Sequence, residues 1–177
     1  ETVVNNLRPT LRKLKNFIFL TLITVLLGCN GTDNYNLGIY NARQGNQEKA
    51  IEYFTKAIAD NPKYSDAYYN RAYAQQIIGG KENQIIADYT KSLELNPNDN
   101  EAHMNRGLVF MKMRENEKAI SDYKKSIEIK PDYPIVYANL GNAYKLKGDN
   151  EKACENWKKS LELGNRNVEL RLKLNCE

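Results

Sequence analysis

Pro62, Pro97 and Pro131 recur at a spacing of roughly 34 residues, each closing a similar line: YFTKAIADNP, DYTKSLELNP and DYKKSIEIKP. A fourth line, NWKKSLELGN, ends at Asn165, one period after Pro131. This period constrains the fold more than any composition does. A unit this short cannot enclose a core, so each copy must bury its apolar face on its neighbours.

The units share a finer pattern. The last reads Tyr137-x2-Leu140-Gly141-x2-Tyr144, then Ala153-x3-Trp157, with Asn165 in the Pro place. The third has Gly107-x2-Phe110, Ala119-x3-Tyr123 and Pro131, and the first has Leu37-Gly38, Ala50-x3-Phe54 and Pro62. The second departs most, with Ala72 in the Gly place and Ile85-x3-Tyr89 for Ala-x3-Phe. The pattern resembles the tetratricopeptide repeat (TPR) from about residue 31 to residue 165. The resemblance implies an all-α, right-handed superhelical solenoid of four helix-turn-helix repeats. Their bounds are about 31–64, 65–99, 100–133 and 134–165, with 166–177 as a short capping helix.

The pattern has a packing logic. Gly38, Ala72, Gly107 and Gly141 on first helices let second helices approach, and Phe54, Tyr89, Tyr123 and Trp157 fill the wider gaps beside them. The prolines end second helices, and GNQ, REN and GDN supply the turns inside units. Glu52–Lys56 and Glu155–Lys159 have the spacing of helical ion pairs. Unit two carries one extra residue, at Gly79-Gly80, and Ile85 where Ala is usual. That predicts a splayed helix pair, a remodelled turn, or a change absorbed by a tolerant loop.

After Gly164-Asn165, the residues Val168, Leu170, Leu172 and Leu174 alternate with period two, as in a strand. No second strand is at hand, and the segment occupies a first-helix place, so a short helix is expected. Cys154 and Cys176 lie equally far along the chain on either side of Asn165. Two antiparallel helices joined there would bring them level, where a disulfide persists outside the cytosol. Cys154 also matches Ile51, Ile86 and Ile120, so burial as a small hydrophobe accounts for it equally well.

Residues 17–27, FIFLTLITVLL, follow Arg12, Lys13 and Lys15. The run is too short to span about 30 Å of hydrocarbon, and its layout is that of a secretory signal peptide. Leu26-Leu27-Gly28-Cys29 resembles the bacterial lipobox, with Leu27 larger than the family prefers. The resemblance implies removal of residues 1–28, lipidation of Cys29 and a short linker to residue 33, which would anchor the protein in a bacterial envelope membrane. Residues 1–10 lack an initiating Met and read as upstream frame. Asn30, rather than Asp, points to the outer membrane if the source follows the enteric rule.

The formal charge is +4. Arg8, Arg12, Lys13 and Lys15 against Glu1 place three of those charges in residues 1–28, which leaves +1 for the remainder. That argues against a nucleic-acid partner. His103 is the only His, outside any catalytic spacing, and Asp and Glu are scattered as on solvated helix faces. The expectation is no enzyme, no metal and no cofactor.

In TPR proteins first helices line a concave groove for a partner segment. Carried over by resemblance, the groove comprises Tyr35, Ile39, Tyr69, Tyr73, Gln76, Met104, Leu108, Met111, Ala138, Asn142 and Lys145. The Lys/Asn/Arg clamp of some relatives is not reproduced, since Tyr69 and Met104 stand where Lys would be wanted. Asn70-Arg71 and Asn105-Arg106 recur beside the groove. The expected function is a non-enzymatic module binding a peptide or protein segment. An assembly factor, pilotin-like or an adaptor for an envelope machine, is the alternative, and a sugar-binding or enzymatic protein is a distant third.

Overall fold

Packed helix pairs follow one another along the chain. The computed structural model describes residues 31–176, so the signal segment and Cys29 lie outside the described residues. Helices α1 (Gly31–Arg43) and α2 (Gln47–Asp60) form the first pair, α3 (Ser65–Ile77) and α4 (Glu82–Leu95) the second. The third is α5 (Asn100–Lys112) with α6 (Asn116–Ile129), and the fourth is α7 (Pro134–Lys147) with α8 (Asn150–Glu162). A 3-10 turn, Arg166–Val168, then runs into α9 (Glu169–Asn175). Each helix packs on the one before and the one after, which makes a solenoid.

The small-residue rule holds in three dimensions. A Cβ on Gly38 would stand 2.5 Å from the Phe54 ring, on Gly107 2.7 Å from Tyr123, and on Gly141 2.5 Å from Trp157. Phe54, Tyr89 and Tyr123 are wholly buried. Asn61, Asn96 and Lys130, each before a recurring Pro, take extended or irregular backbone at second-helix ends. Asp99 caps α5 by accepting from the backbone N–H groups of Glu101 and Ala102, both at 3.0 Å. Left-handed backbone closes the turns inside all four units, at Gly45, Gly79, Gly148 and, in unit three, Arg114 (φ 62°).

Some expectations are met, some open ones are decided, and two are corrected. The extra residue of unit two is taken up by its turn, residues 78–81, and its helices match the others in length. The surface ion pairs have a different spacing: Lys159 pairs with Glu162, and Lys56 lies over the Tyr53 ring. Not every carboxylate is solvated. Asp88 and Asp122 are buried, because an arginine of the facing helix binds each one. The alternating segment is helical throughout, since only a helix satisfies its backbone without a second strand. Val168 and Leu172 pack inward, while Leu170 and Leu174 stay exposed.

Candidate functional site

The first helices carry two kinds of side chain. Some lock one unit to the next, and others stand open in clefts. Tyr35 belongs to the first kind. Its ring packs against Phe54 and Tyr64, centroids 5.8 and 4.7 Å away, and its hydroxyl accepts from Asn70 at 3.1 Å. Burial, with Asp66 adding to it, pushes its phenol up to about 12. Tyr69 repeats the device one unit on. It accepts from Asn105 at 3.0 Å and donates to Glu101 at 3.3 Å, and its ring meets Tyr89 edge-on at 5.8 Å. Burial first, and Glu101 after it, raises its phenol far above the ordinary value.

Gln76 accepts from the Tyr89 hydroxyl at 3.1 Å. Met111 holds the matching place in unit three, so the buried Tyr123 hydroxyl has no partner among the described residues. Met104, Leu108 and Met111 are half-buried and pack on the core of units three and four. Ala138 is a core residue rather than a groove residue, only 6% exposed, because α8 covers it: the Trp157 indole donates to its carbonyl at 3.3 Å.

The recurring Asn-Arg dipeptides beside the groove serve packing, as brackets within and between units. Arg71 grips Asp88 through two bonds of 2.7 and 2.6 Å and donates to Thr55 of the preceding unit at 3.2 Å. Arg106 does the same to Asp122, at 2.8 and 2.7 Å, and to Thr90 at 3.0 Å. Each bidentate grip holds a unit together, and its third bond ties that unit to the one before. His103 lies against Asp122 and the Pro97 carbonyl, both at 3.2 Å. Burial would raise the Asp122 carboxyl, but the bonds from Arg106 and His103 outweigh it and hold the group below its ordinary value. The sequence signal was the phased Arg-to-Asp spacing of 17 and 16 residues.

Two clefts collect the open residues. The N-terminal one, about 380 Å³, brings Ile39 and Tyr73 together with Ala42, Arg43, Gln47 and Ile77. Tyr73 and Ile77 are 45% and 53% exposed. The C-terminal one, about 350 Å³, unites Asn142 and Lys145 of α7 with Arg171 and Asn175 of α9 over Trp157. Cys154 and Cys176 form a disulfide, Cα atoms 5.6 Å apart, that ties the end of α9 to α8. Among the described residues no cluster of His, Cys, Asp and Glu could hold a metal ion, and no helix is long and apolar enough to cross a membrane.

Comparison with known proteins gives the same periodic picture. Family models described as TPR repeat and tetratricopeptide repeat match residues 33–64, 53–87, 115–148 and 135–164. An uncharacterized protein of Methanocaldococcus jannaschii is 48% identical over 48 residues, 27% of this chain and 56% of that protein. An NADPH oxidase activator of Dictyostelium discoideum is 32% identical over 69 residues, 39% of this chain and 11% of that protein. The chain thus spans about half of one curated relative and about a tenth of the other. Among solved structures, MamA superposes with a TM-score of 0.75 at 28% identity, over 84% of this chain and 86% of that one. YrrB, described as a TPR protein with an unusual peptide-binding site, gives 0.74 at 22% identity, over 95% and 87%. The first TPR of Spaghetti (RPAP3), bound to an HSP90 peptide, gives 0.65 at 22% identity, over 67% and 94%.

Proposed function

Because this chain belongs to the tetratricopeptide repeat proteins, we propose that it is a non-enzymatic interaction module, holding a segment of a partner protein along its first helices. The observation that carries this reading is the open apolar cleft at Tyr73 and Ile77. Both are large side chains left about half exposed beside Ile39 and Ala42, on a surface built from packed helix pairs. An aromatic and an aliphatic side chain standing open on a packed scaffold offer apolar area at low ordering cost. Two TPR structures of the same fold are described with peptide sites or a bound peptide, which supports the class of ligand.

The test is crosslinking capture from the native cell, comparing wild type with Tyr73→Ala/Ile77→Ala. Both positions are exposed, so the variant keeps the fold. Loss of the crosslinked partner is expected, and unchanged recovery would remove the groove from the function.

The lipobox-like Leu26-Leu27-Gly28-Cys29 supports a lipid anchor in a bacterial envelope membrane. Several acyl chains, each buried CH₂ contributing about 0.8 kcal/mol, make such an anchor lasting. Wild type then partitions with membranes and Cys29→Ala does not. If the Ala variant fractionates like wild type, the anchor reading is wrong.

A further inference from the structure

The C-terminal cleft has a chemistry of its own. Lys145 rises from α7 and Arg171 from α9 on the same cleft, and neither meets a carboxylate among the described residues. Among the described residues Lys145 donates only to the Asn150 side-chain carbonyl, at 3.0 Å, and Arg171 only to the Asn167 carbonyl, at 3.4 Å. The two amides are already oriented. The Trp157 indole donates to Asn142 Oδ1 at 3.1 Å, which turns the Asn142 amide N–H₂ outward as a third donor. Asn175 spends its N–H₂ on the Arg171 carbonyl at 2.8 Å, which leaves its Oδ1 as an acceptor. Beside this polar set lies Leu146, 63% exposed.

We propose that this cleft binds an acidic peptide segment, with an Asp or Glu carboxylate between Lys145 and Arg171 and a neighbouring apolar side chain on Leu146. The proposal rests on the groove reading and names the chemistry of one end of it. Two cations without a carboxylate partner among the described residues, with an outward amide donor, call for an anion. The Asn175 acceptor suits an N–H group, which a peptide backbone presents beside its carboxylate side chain. The exposed leucine calls for apolar surface beside the charge. Half of the site stands on α9, a seven-residue helix. A helix that short does not hold its place by propensity, and the Cys154–Cys176 bridge pins its C-terminal end. The disulfide therefore sets the position of Arg171 and Asn175, and reduction removes half of the clamp.

The test uses the full chain in detergent and two fluorescein-labelled, C-terminally amidated peptides, Leu-Glu-Leu-Glu-Leu and Leu-Gln-Leu-Gln-Leu, read by fluorescence anisotropy. Wild type is expected to bind the Glu peptide about tenfold tighter, as charge-assisted bonds require. Lys145→Gln/Arg171→Gln is expected to erase that preference and leave the Gln peptide unaffected. Cys154→Ser/Cys176→Ser weakens the Glu peptide more than the Gln peptide and narrows the preference, because Arg171 serves the first and Asn175 serves both. Tyr73→Ala, in the other cleft, weakens both peptides and keeps the preference. Equal affinity of wild type for the two peptides, with Tyr73→Ala still weakening both, overturns the clamp and leaves the groove standing. Binding of neither peptide overturns both readings. Displacement of the Glu peptide by inorganic phosphate as readily as by unlabelled peptide makes the cleft a general anion site and overturns the proposal.

Discussion

Asn105 donates its side-chain amide to the hydroxyl of Tyr69 at 3.0 Å, across 36 residues of sequence. Asn70 makes the same bond to Tyr35 at 3.1 Å, across 35 residues. The bond is a rung between consecutive first helices. It explains why two residues assigned to partner binding by resemblance are half-buried and already engaged.

Tyr69→Phe should therefore act on stability. It leaves the buried Asn105 amide without its acceptor and is expected to cost about 1 kcal/mol. A double-mutant cycle with Asn105→Ala, read by urea unfolding, should give a coupling of about 0.5–1 kcal/mol. Strictly additive effects would show that the rung contributes nothing.

The unpartnered Tyr123 hydroxyl predicts an asymmetry between equivalent tyrosines. Tyr89→Phe loses a bond to Gln76 and should cost about 1 kcal/mol, whereas Tyr123→Phe removes a buried unpaired polar atom and should be neutral or stabilising. Met111→Gln restores the missing acceptor and should reverse that order for Tyr123→Phe. Thermal melts of the four variants decide it, and a Tyr123→Phe loss as large as that of Tyr89→Phe would contradict the reading.

Asp122 links stability to acid. Its carboxyl is raised by burial but lowered further by Arg106 and His103, so its folded value lies below the unfolded one. Its contribution is therefore full above the unfolded value, near pH 4, and is lost as pH falls through the lower folded value. Asp122→Asn should cost about 3 kcal/mol near pH 7, because Arg106 loses its charged partner. It should also flatten the decline in urea midpoint as pH falls below about 5. An undiminished acid slope in the variant would assign the titration to other groups.

Arg114 holds the left-handed turn position that glycine holds in the other three units, with φ 62°. An L-residue there costs roughly 1–2 kcal/mol, partly offset by the greater freedom glycine gives the unfolded chain. Arg114→Gly is expected to raise stability by about 0.5–1 kcal/mol. A lower melting temperature would mean that the Arg114 side chain supplies more than its backbone costs.

Much of the fold was legible because repetition averages out local ambiguity. The Gly38, Gly107 and Gly141 positions fell in phase with Phe54, Tyr123 and Trp157, and the contacts between them depend on nothing outside each unit. The candidate site was less legible. Tyr35, Tyr73, Met104 and Asn142 share one face by resemblance, yet only Tyr73 and Asn142 of these line clefts. Whether a first-helix side chain is open depends on what the next unit places over it, and a one-residue change such as Gln76 to Met111 alters that. Arg171 and Asn175 were not legible as cleft residues because only the packing of α9 on α8 brings them beside Asn142 and Lys145.

The sequence by itself determined the period, the helix pairs and the close approach at the glycines, since these follow from side-chain size and backbone chemistry within a single repeat. Only the tertiary structure decided which polar groups join units and which stay free. The partners of Asn105, Arg106 and Lys145 are set by the rotation of one helix pair on the next, and that rotation is a property of the stacked solenoid that no single repeat contains.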